Sequence, residues 1–112
     1  SFIGTQIASF DLTPEKFCQE IGPARTYGFY EEVEELRKKG LIKGGSLDNA
    51  VVITKDSYLN ELRYPNELVR HKILDLIGDL SILGTEINGH FIGIKSGHAL
   101  NMEMVKKINQ II

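Results

Sequence analysis

The segment between residues 66 and 83 constrains the fold more than any other part of the sequence, because it has the period of an amphipathic helix. One predicted face is apolar and consists of Val69, Ile73, Leu76, Ile77, Leu80 and Leu83. The opposite face carries His71, Asp75 and Asp79 at intervals of four residues. Side chains one turn apart stack on the same side of a helix, so one imidazole and two carboxylates form a single stripe.

Apolar residues flank this polar stripe, namely Leu68, Leu74 and Ile82. The short, stiff side chains of the stripe also differ from the long Lys and Glu side chains of an ordinary solvated face. The pattern therefore predicts that another part of the protein covers the stripe. A covered carboxylate must be paired or bound to a metal ion, because burying it alone is strongly unfavourable.

Composition limits the chain to one compact domain with a modest core, since it has 112 residues and an apolar content of 42%. Charges of both signs are interspersed and sum to −2, so no surface for nucleic acid is predicted. No apolar run is long enough to span a bilayer, and no signal peptide is visible. The single Cys18 fits a reducing cytoplasm. Because Ser1 opens the chain without an initiator Met, we expect a chain cut out of something longer.

Hydrophobic periodicity and capping residues predict alternating strands and helices. The predicted strands lie in 1–10, at both ends of 41–53 and in 87–95, and the predicted helices in 14–21, 29–39, 66–83 and 98–112. Thr13 is the expected N-cap of the first helix, and Arg25–Gly28 is predicted to be a turn. This order of elements favours a two-layer α+β sandwich.

His71 and Asp75 by themselves are a weak metal signal, because such a pair occurs by chance in many helices. The predicted covering and the second carboxylate, Asp79, strengthen it. Zinc accepts imidazole nitrogen and carboxylate oxygen, and a catalytic zinc site has three protein ligands and a water. The third ligand must come from elsewhere, and the other histidines are His90 and His98. We expect His90 to pack in its predicted strand.

His98 follows Ser96-Gly97 at the start of the last predicted helix. The helix dipole disfavours a charged imidazole there, whereas Asp79 would favour it and keep the ring ready to donate a proton. The residues alone leave two alternatives, an acid–base catalyst or a first-turn side chain in contact with water. Lys72 has a similar pair of interpretations, as a phosphate-binding group or as a solvated lysine.

Four segments together resemble the zinc-dependent UDP-3-O-acyl-N-acetylglucosamine deacetylases of lipid A synthesis: 24–29, 40–48, 70–80 and 95–101. The specific combination is His-Lys-x-x-Asp-x-x-x-Asp followed by Ser-Gly-His. The resemblance covers residues 1–112 as the second (C-terminal) of two domains, and the first domain is expected to be absent. With the element order, it implies an α+β, two-layer sandwich of a mainly antiparallel sheet packed on helices, with a small βαβ insert at about 27–54.

The resemblance also implies roles for individual residues. His71 and Asp75 would be zinc ligands, and His98 would be the catalytic histidine with Asp79 as its electrostatic partner. His98 would either protonate the departing amine or share electrostatic stabilisation, if the glutamate of the first domain makes both proton transfers. Thr26 would help to bind the oxyanion. Substrate contacts are implied for Lys72 at the nucleotide phosphate, for Tyr27 at the sugar, for Gly97, and along an acyl passage for Phe29, Val33, Leu36, Leu41, Leu47 and Val51.

The implied function is a cytoplasmic, zinc-dependent hydrolase that removes acetate from UDP-3-O-(3-hydroxyacyl)-N-acetylglucosamine. Its partners would be this substrate and the missing first domain, from which the family takes a histidine zinc ligand and a catalytic glutamate. One alternative is an isolated domain that folds and binds substrate or the first domain without turnover. The other is a structural domain in which His71 and Asp75 lie on a solvated face.

Overall fold

The computed structural model describes residues 3–39 and 49–112, and these form an α+β structure of helices and one small sheet. The chain divides after His71 into two compact units. Among the described helices, none is both long enough and apolar enough to cross a membrane.

The first unit contains a two-stranded parallel sheet made of β1 (Thr26–Phe29) and β2 (Ala50–Ile53). Helix α2 (Tyr30–Lys38) lies between them in the chain, so the described residues contain a strand–helix–strand unit. Strand β2 is apolar and mostly buried, as is typical of a parallel strand covered on both faces. Val51 and Ile53 of this strand form a core with Leu68, and Tyr27 packs against this core.

The turn predicted at Arg25–Gly28 is therefore wrong, because β1 begins at Thr26. Thr26 lies opposite Ala50 in the register, and Phe29 lies opposite Ile53. The pairing partner is more than twenty residues away along the chain. Local turn propensity did not reveal this strand, because non-local pairing decides the outcome. The resemblance, by contrast, implied a βαβ insert at about 27–54, and β1, α2 and β2 form a parallel strand–helix–strand unit.

The first helix begins as predicted, with helix α1 at Pro14–Lys16. The Thr13 hydroxyl accepts a hydrogen bond from the backbone N–H of Lys16 at 3.1 Å, so the N-cap is confirmed. A π-helical turn continues from Phe17 to Ile21, and the Ile21 side chain is fully buried. The Gly22-Pro23 pair ends the helix, as expected.

Helix α3 (Glu67–Leu80) corresponds to the predicted amphipathic segment. A short 3₁₀ turn continues it to Leu83, and Gly84 then adopts a left-handed conformation with φ of 66°. The Gly84 N–H donates to the Ser81 carbonyl, which closes the last turn. The helix and its glycine stop are thus confirmed.

The second unit ends in helix α4 (His98–Ile111), which confirms the last predicted helix. The strand predicted at 87–95 is wrong, because residues 84–97 contain no strand. In this loop, Ile92 and Ile94 are 75% and 80% exposed, and His90 is exposed rather than packed in a strand.

The predicted sandwich of a mainly antiparallel sheet is also wrong for the described residues, whose sheet has two parallel strands. Residues 4–10, where a strand was expected, have no strand either. Alternating apolar residues favour an extended chain, but a strand also needs a neighbour for its backbone hydrogen bonds. The described structure places no such neighbour beside these two segments.

Candidate active site

A buried ion pair joins the start of helix α3 to the residue before strand β1. The Glu67 side chain has no exposed surface, and Arg25 is 9% exposed. Glu67 Oε2 accepts from the backbone N–H and Nε of Arg25, each at 2.8 Å, and Oε1 accepts from Arg25 Nη2 at 3.0 Å. Oε1 also accepts the backbone N–H of Arg63 at 2.8 Å. One carboxylate therefore satisfies four donors, and we call this arrangement the Arg25–Glu67 clamp.

The electrostatics of the clamp favour an ionised Glu67. Burial alone would raise the pKa of Glu67, but the hydrogen bonds from Arg25 and Arg63 and the charge of Arg25 hold it below the ordinary value. Glu67 also lies in the first turn of α3, where a negative charge interacts favourably with the helix dipole. The clamp thus fixes the start of α3 one turn before His71.

A backbone carbonyl of the first unit determines which ring nitrogen of His71 carries the hydrogen. Its Nδ1 lies 2.9 Å from the carbonyl oxygen of Ala24. A carbonyl oxygen accepts only, so Nδ1 must carry the hydrogen, and the lone pair of the neutral ring is on Nε2. Metal-binding histidines commonly donate their second ring nitrogen to a carbonyl in this way.

Arg70 anchors the same turn of α3. Its Nη1 donates to Glu20 Oε2 at 2.8 Å, its Nε donates to Asn66 Oδ1 at 2.7 Å, and its guanidinium lies 4.0 Å from the centre of the Tyr64 ring. These contacts hold the turn of α3 that contains both Arg70 and His71.

Two side chains of helix α3 have the donor types that zinc binds. His71 and Asp75 are four positions apart in the continuous helix α3 and offer the nitrogen and oxygen donors that zinc prefers. Within residues 3–39 and 49–112, no group of three or more His, Cys, Asp and Glu side chains is arranged to hold a metal. A catalytic zinc site has three protein ligands, so His71 and Asp75 do not complete one by themselves.

The second unit brings His98, Asp79 and Asp75 together. His98 Nδ1 lies 2.7 Å from Asp79 Oδ2, and His98 Nε2 lies 3.8 Å from Asp75 Oδ2. The same Asp79 oxygen accepts from Asn101 Nδ2 at 3.0 Å. The His98 side chain is 68% exposed, whereas Asp79 is 14% exposed. The ring is thus held at one edge and open to solvent elsewhere.

This geometry shifts the pKa values of both His98 and Asp79. The hydrogen bond to Asp79 and the charges of Asp79 and Asp75 raise the pKa of His98 above its ordinary value. The hydrogen bond from Asn101, helped by His98 and opposed by burial, lowers the pKa of Asp79. An ionised Asp79 facing a readily protonated His98 is a suitable arrangement for general acid–base chemistry.

The other predicted site residues lie in one unit or the other. In the first unit, Thr26 is exposed and Tyr27 half-buried on β1, Phe29 ends that strand with 46% exposure, and Val33 is half-buried on α2. In the second unit, Lys72 is half-buried on α3 and Gly97 is the N-cap of α4. Leu47, with Leu41, lies outside the described residues.

Sequence reasoning missed three contributors to these arrangements: the Ala24 carbonyl, Glu67 and Asn101. Only Asn101 had a local signal, because it lies three residues after His98 and so shares its helix face. Ala24 lies 47 residues from His71, and Arg25, the main partner of Glu67, lies 42 residues from it.

An open apolar groove of about 770 Å³ lies within the second unit, between the loop 86–96 and α4. The exposed residues Ile92, Ile94 and Leu100 line it. Contiguous exposed apolar surface of this kind is typical of a region that another protein segment covers.

Comparison with known proteins gives consistent matches over most of the chain. The sequence model of the LpxC family, described as UDP-3-O-acyl N-acetylglycosamine deacetylase, matches residues 1–110. A UDP-3-O-acyl-N-acetylglucosamine deacetylase of Synechocystis sp. is 50% identical over 107 residues, which is 95% of this chain and 39% of that protein. The protein of the same description from Leptospira biflexa is 59% identical over 90 residues, 80% of this chain and 30% of that protein. The chain thus spans between 30% and 39% of the length of these relatives.

Proposed function

Since this chain belongs to the UDP-3-O-acyl N-acetylglycosamine deacetylase family, we propose that it forms part of a zinc-dependent hydrolase of lipid A synthesis. The substrate is UDP-3-O-(3-hydroxyacyl)-N-acetylglucosamine, and the products are acetate and the UDP-linked acylated glucosamine. The observation that carries the proposal is the 2.7 Å hydrogen bond between His98 and Asp79. It joins the two parts of the motif on which the resemblance rests.

His71 and Asp75 are the proposed zinc ligands of this chain. The support is the tautomer of His71, which the Ala24 carbonyl fixes with the lone pair on Nε2, together with the spacing of both residues on α3. When bound, zinc supplies an activated water at neutral pH and polarises the acetamide carbonyl.

His98 is the proposed proton donor to the departing amine. Asp79 holds the ring through Nδ1, so Nε2 is the atom that faces the reaction and carries the transferred proton. A raised pKa of His98 keeps a larger fraction of the ring protonated at neutral pH.

Other residues of the chain would bind the substrate. The exposed Thr26 hydroxyl would donate to the oxyanion that forms at the acetamide carbon. Lys72 would contact the nucleotide phosphate and Tyr27 the sugar, with Gly97 beside the bound substrate. Phe29, Val33 and Leu47 would line the passage for the acyl chain.

We assign the chain to the second domain of the enzyme, with the first domain supplying a histidine ligand and a glutamate. The relatives are more than twice as long as the matched region, and the part outside the match is the proposed cover of the apolar groove. A nucleotide-sugar substrate and a chain with one cysteine suit a cytoplasmic enzyme.

The His98→Ala variant tests this function in the full-length enzyme. We expect kcat for acetate release to fall by at least about a hundredfold, because the variant lacks the proton donor. Zinc content, measured on the same samples, should stay unchanged, since His98 is not a proposed ligand.

The matched control is Lys106→Ala, an exposed position on the same helix, which should retain the wild-type kcat. Equal rates in His98→Ala and wild type would contradict the proposed role of His98. A full-length enzyme that binds the substrate and releases no acetate would instead favour the binding-only alternative.

A further inference from the structure

Asn101 is a buried polar residue to which the motif assigns no role. It is 4% exposed and lies in the first turn of α4, three residues after His98. Its Nδ2 donates to Asp79 Oδ2 at 3.0 Å. Because Asp79 is ionised and can only accept, the amide must present its NH₂ group to that oxygen.

One oxygen atom of Asp79 therefore holds two donors from the same helix face. His98 Nδ1 approaches it at 2.7 Å, and the amide of the buried Asn101 approaches it at 3.0 Å. The exposed His98 ring contributes little packing of its own, so its orientation depends on where the Asp79 carboxylate points. Of the side chains of His98, Asp79 and Asn101, that of Asn101 is the most buried.

A second carboxylate lies near the other ring nitrogen of His98. Asp75 Oδ2 lies 3.8 Å from His98 Nε2, on the opposite edge of the imidazole from Asp79. The neutral ring has one N–H, and the carboxylate that holds it most closely determines the tautomer. If Asp79 rotated away, the Nδ1–H tautomer would lose the carboxylate that favours it, and the Nε2–H tautomer would gain population.

We propose that Asn101 is a positioning residue, whose amide holds Asp79 so that the neutral His98 ring keeps its hydrogen on Nδ1 and takes up and releases the transferred proton at Nε2. The expected effect on kcat rests on the proposed function, whereas the expected effect on the His98 tautomer does not. A purely structural link between α3 and α4 would change stability without changing which ring nitrogen carries the hydrogen.

The test uses two variants. Asn101→Leu removes the amide donor while keeping a similar side-chain volume. Asn101→Ser has a side chain too short to reach Asp79, and it serves if Asn101→Leu fails to fold. Imidazole ¹⁵N shifts of the metal-free full-length enzyme at alkaline pH report the tautomer, with His98→Ala assigning the signals. We expect the Nδ1–H form in the wild type and a larger share of Nε2–H in both variants.

In the zinc-loaded enzyme, each variant should lower kcat about tenfold with KM unchanged, a typical effect of losing a group that orients a reactive residue. In an Asp79→Ala background, the same substitutions should change kcat no further, because they act through Asp79. Asn109→Leu, at an exposed position of the same helix, is the control that should match the wild type.

An unchanged tautomer in the Asn101 variants would overturn the positioning role, whatever the activity. A further fall in kcat in the Asp79→Ala background would also overturn it. An inactive wild-type enzyme with the expected tautomer shift would overturn the proposed function and leave the role of Asn101 on Asp79 and His98 supported.

Discussion

Replacing Glu67 by alanine is expected to lower the free energy of unfolding by about 3–5 kcal/mol, the usual effect of breaking a buried ion pair by removing one partner. The variant leaves the guanidinium of Arg25 buried without its carboxylate. It also removes the acceptor of two backbone N–H groups, those of Arg25 and Arg63. Urea unfolding followed by circular dichroism measures the change.

The matched control is Glu35→Ala on helix α2. Glu35 also pairs with a basic residue, Lys39 at 3.4 Å, but both side chains are largely exposed. An exposed pair contributes about 1 kcal/mol or less. Equal losses in the two variants would show that the Arg25–Glu67 clamp has no special role in stability.

The clamp should also make stability depend on pH. The pKa of Glu67 is lower in the folded protein than in the unfolded chain, so its contribution is present above the ordinary carboxyl pKa. It is lost as the pH falls through the lowered folded value. We therefore expect the stability difference between wild type and Glu67→Gln to shrink on acidification across this range, in urea titrations at successive pH values.

Replacing His71 by alanine is expected to abolish stoichiometric zinc binding and, with it, acetate release. Removing a residue that merely supports a ligand weakens a metal site by up to about a hundredfold, so losing a ligand itself should exceed that. The same result is expected for Asp75→Ala, which removes the oxygen donor on the next turn of α3. Metal analysis after dialysis, with a chelator competition for the affinity, measures both.

Asp56→Ala is the control for the charge change, because Asp56 is an exposed loop residue of the first unit. It should retain full zinc content and activity. Unchanged zinc affinity in both His71→Ala and Asp75→Ala would favour the interpretation that this helix face is merely solvated.

Elements that depend on local signals could be predicted from the sequence. Helix α3, its Gly84 stop and helix α4 follow from apolar periodicity and end residues, and the Thr13 cap from its position before Pro14. The spacing of His71, Asp75 and Asp79 also follows directly once α3 forms. Within the candidate site, proximity of His98 to Asp79 was an expectation that the structure confirms.

Features that depend on distant partners could not be predicted from local residue patterns, although the resemblance implied a βαβ insert at about 27–54. Strand β1 exists because β2 pairs with it, and the segment around Ile92 and Ile94 has the alternation of a strand without a partner strand in the described residues. Glu67 looks like an ordinary first-turn carboxylate, and only its contact with Arg25, 42 residues earlier, reveals why it is buried.

The hydrogen bond between Ala24 and His71 has a consequence for how this protein can change during evolution. The acceptor is a main-chain oxygen, which every amino acid possesses. A comparison of sequences therefore cannot detect whether this hydrogen bond is kept. Any small residue that fits the buried position 24 would preserve the protonation pattern of His71. A shift in the path of the polypeptide there would erase that pattern even with every side chain of the motif intact.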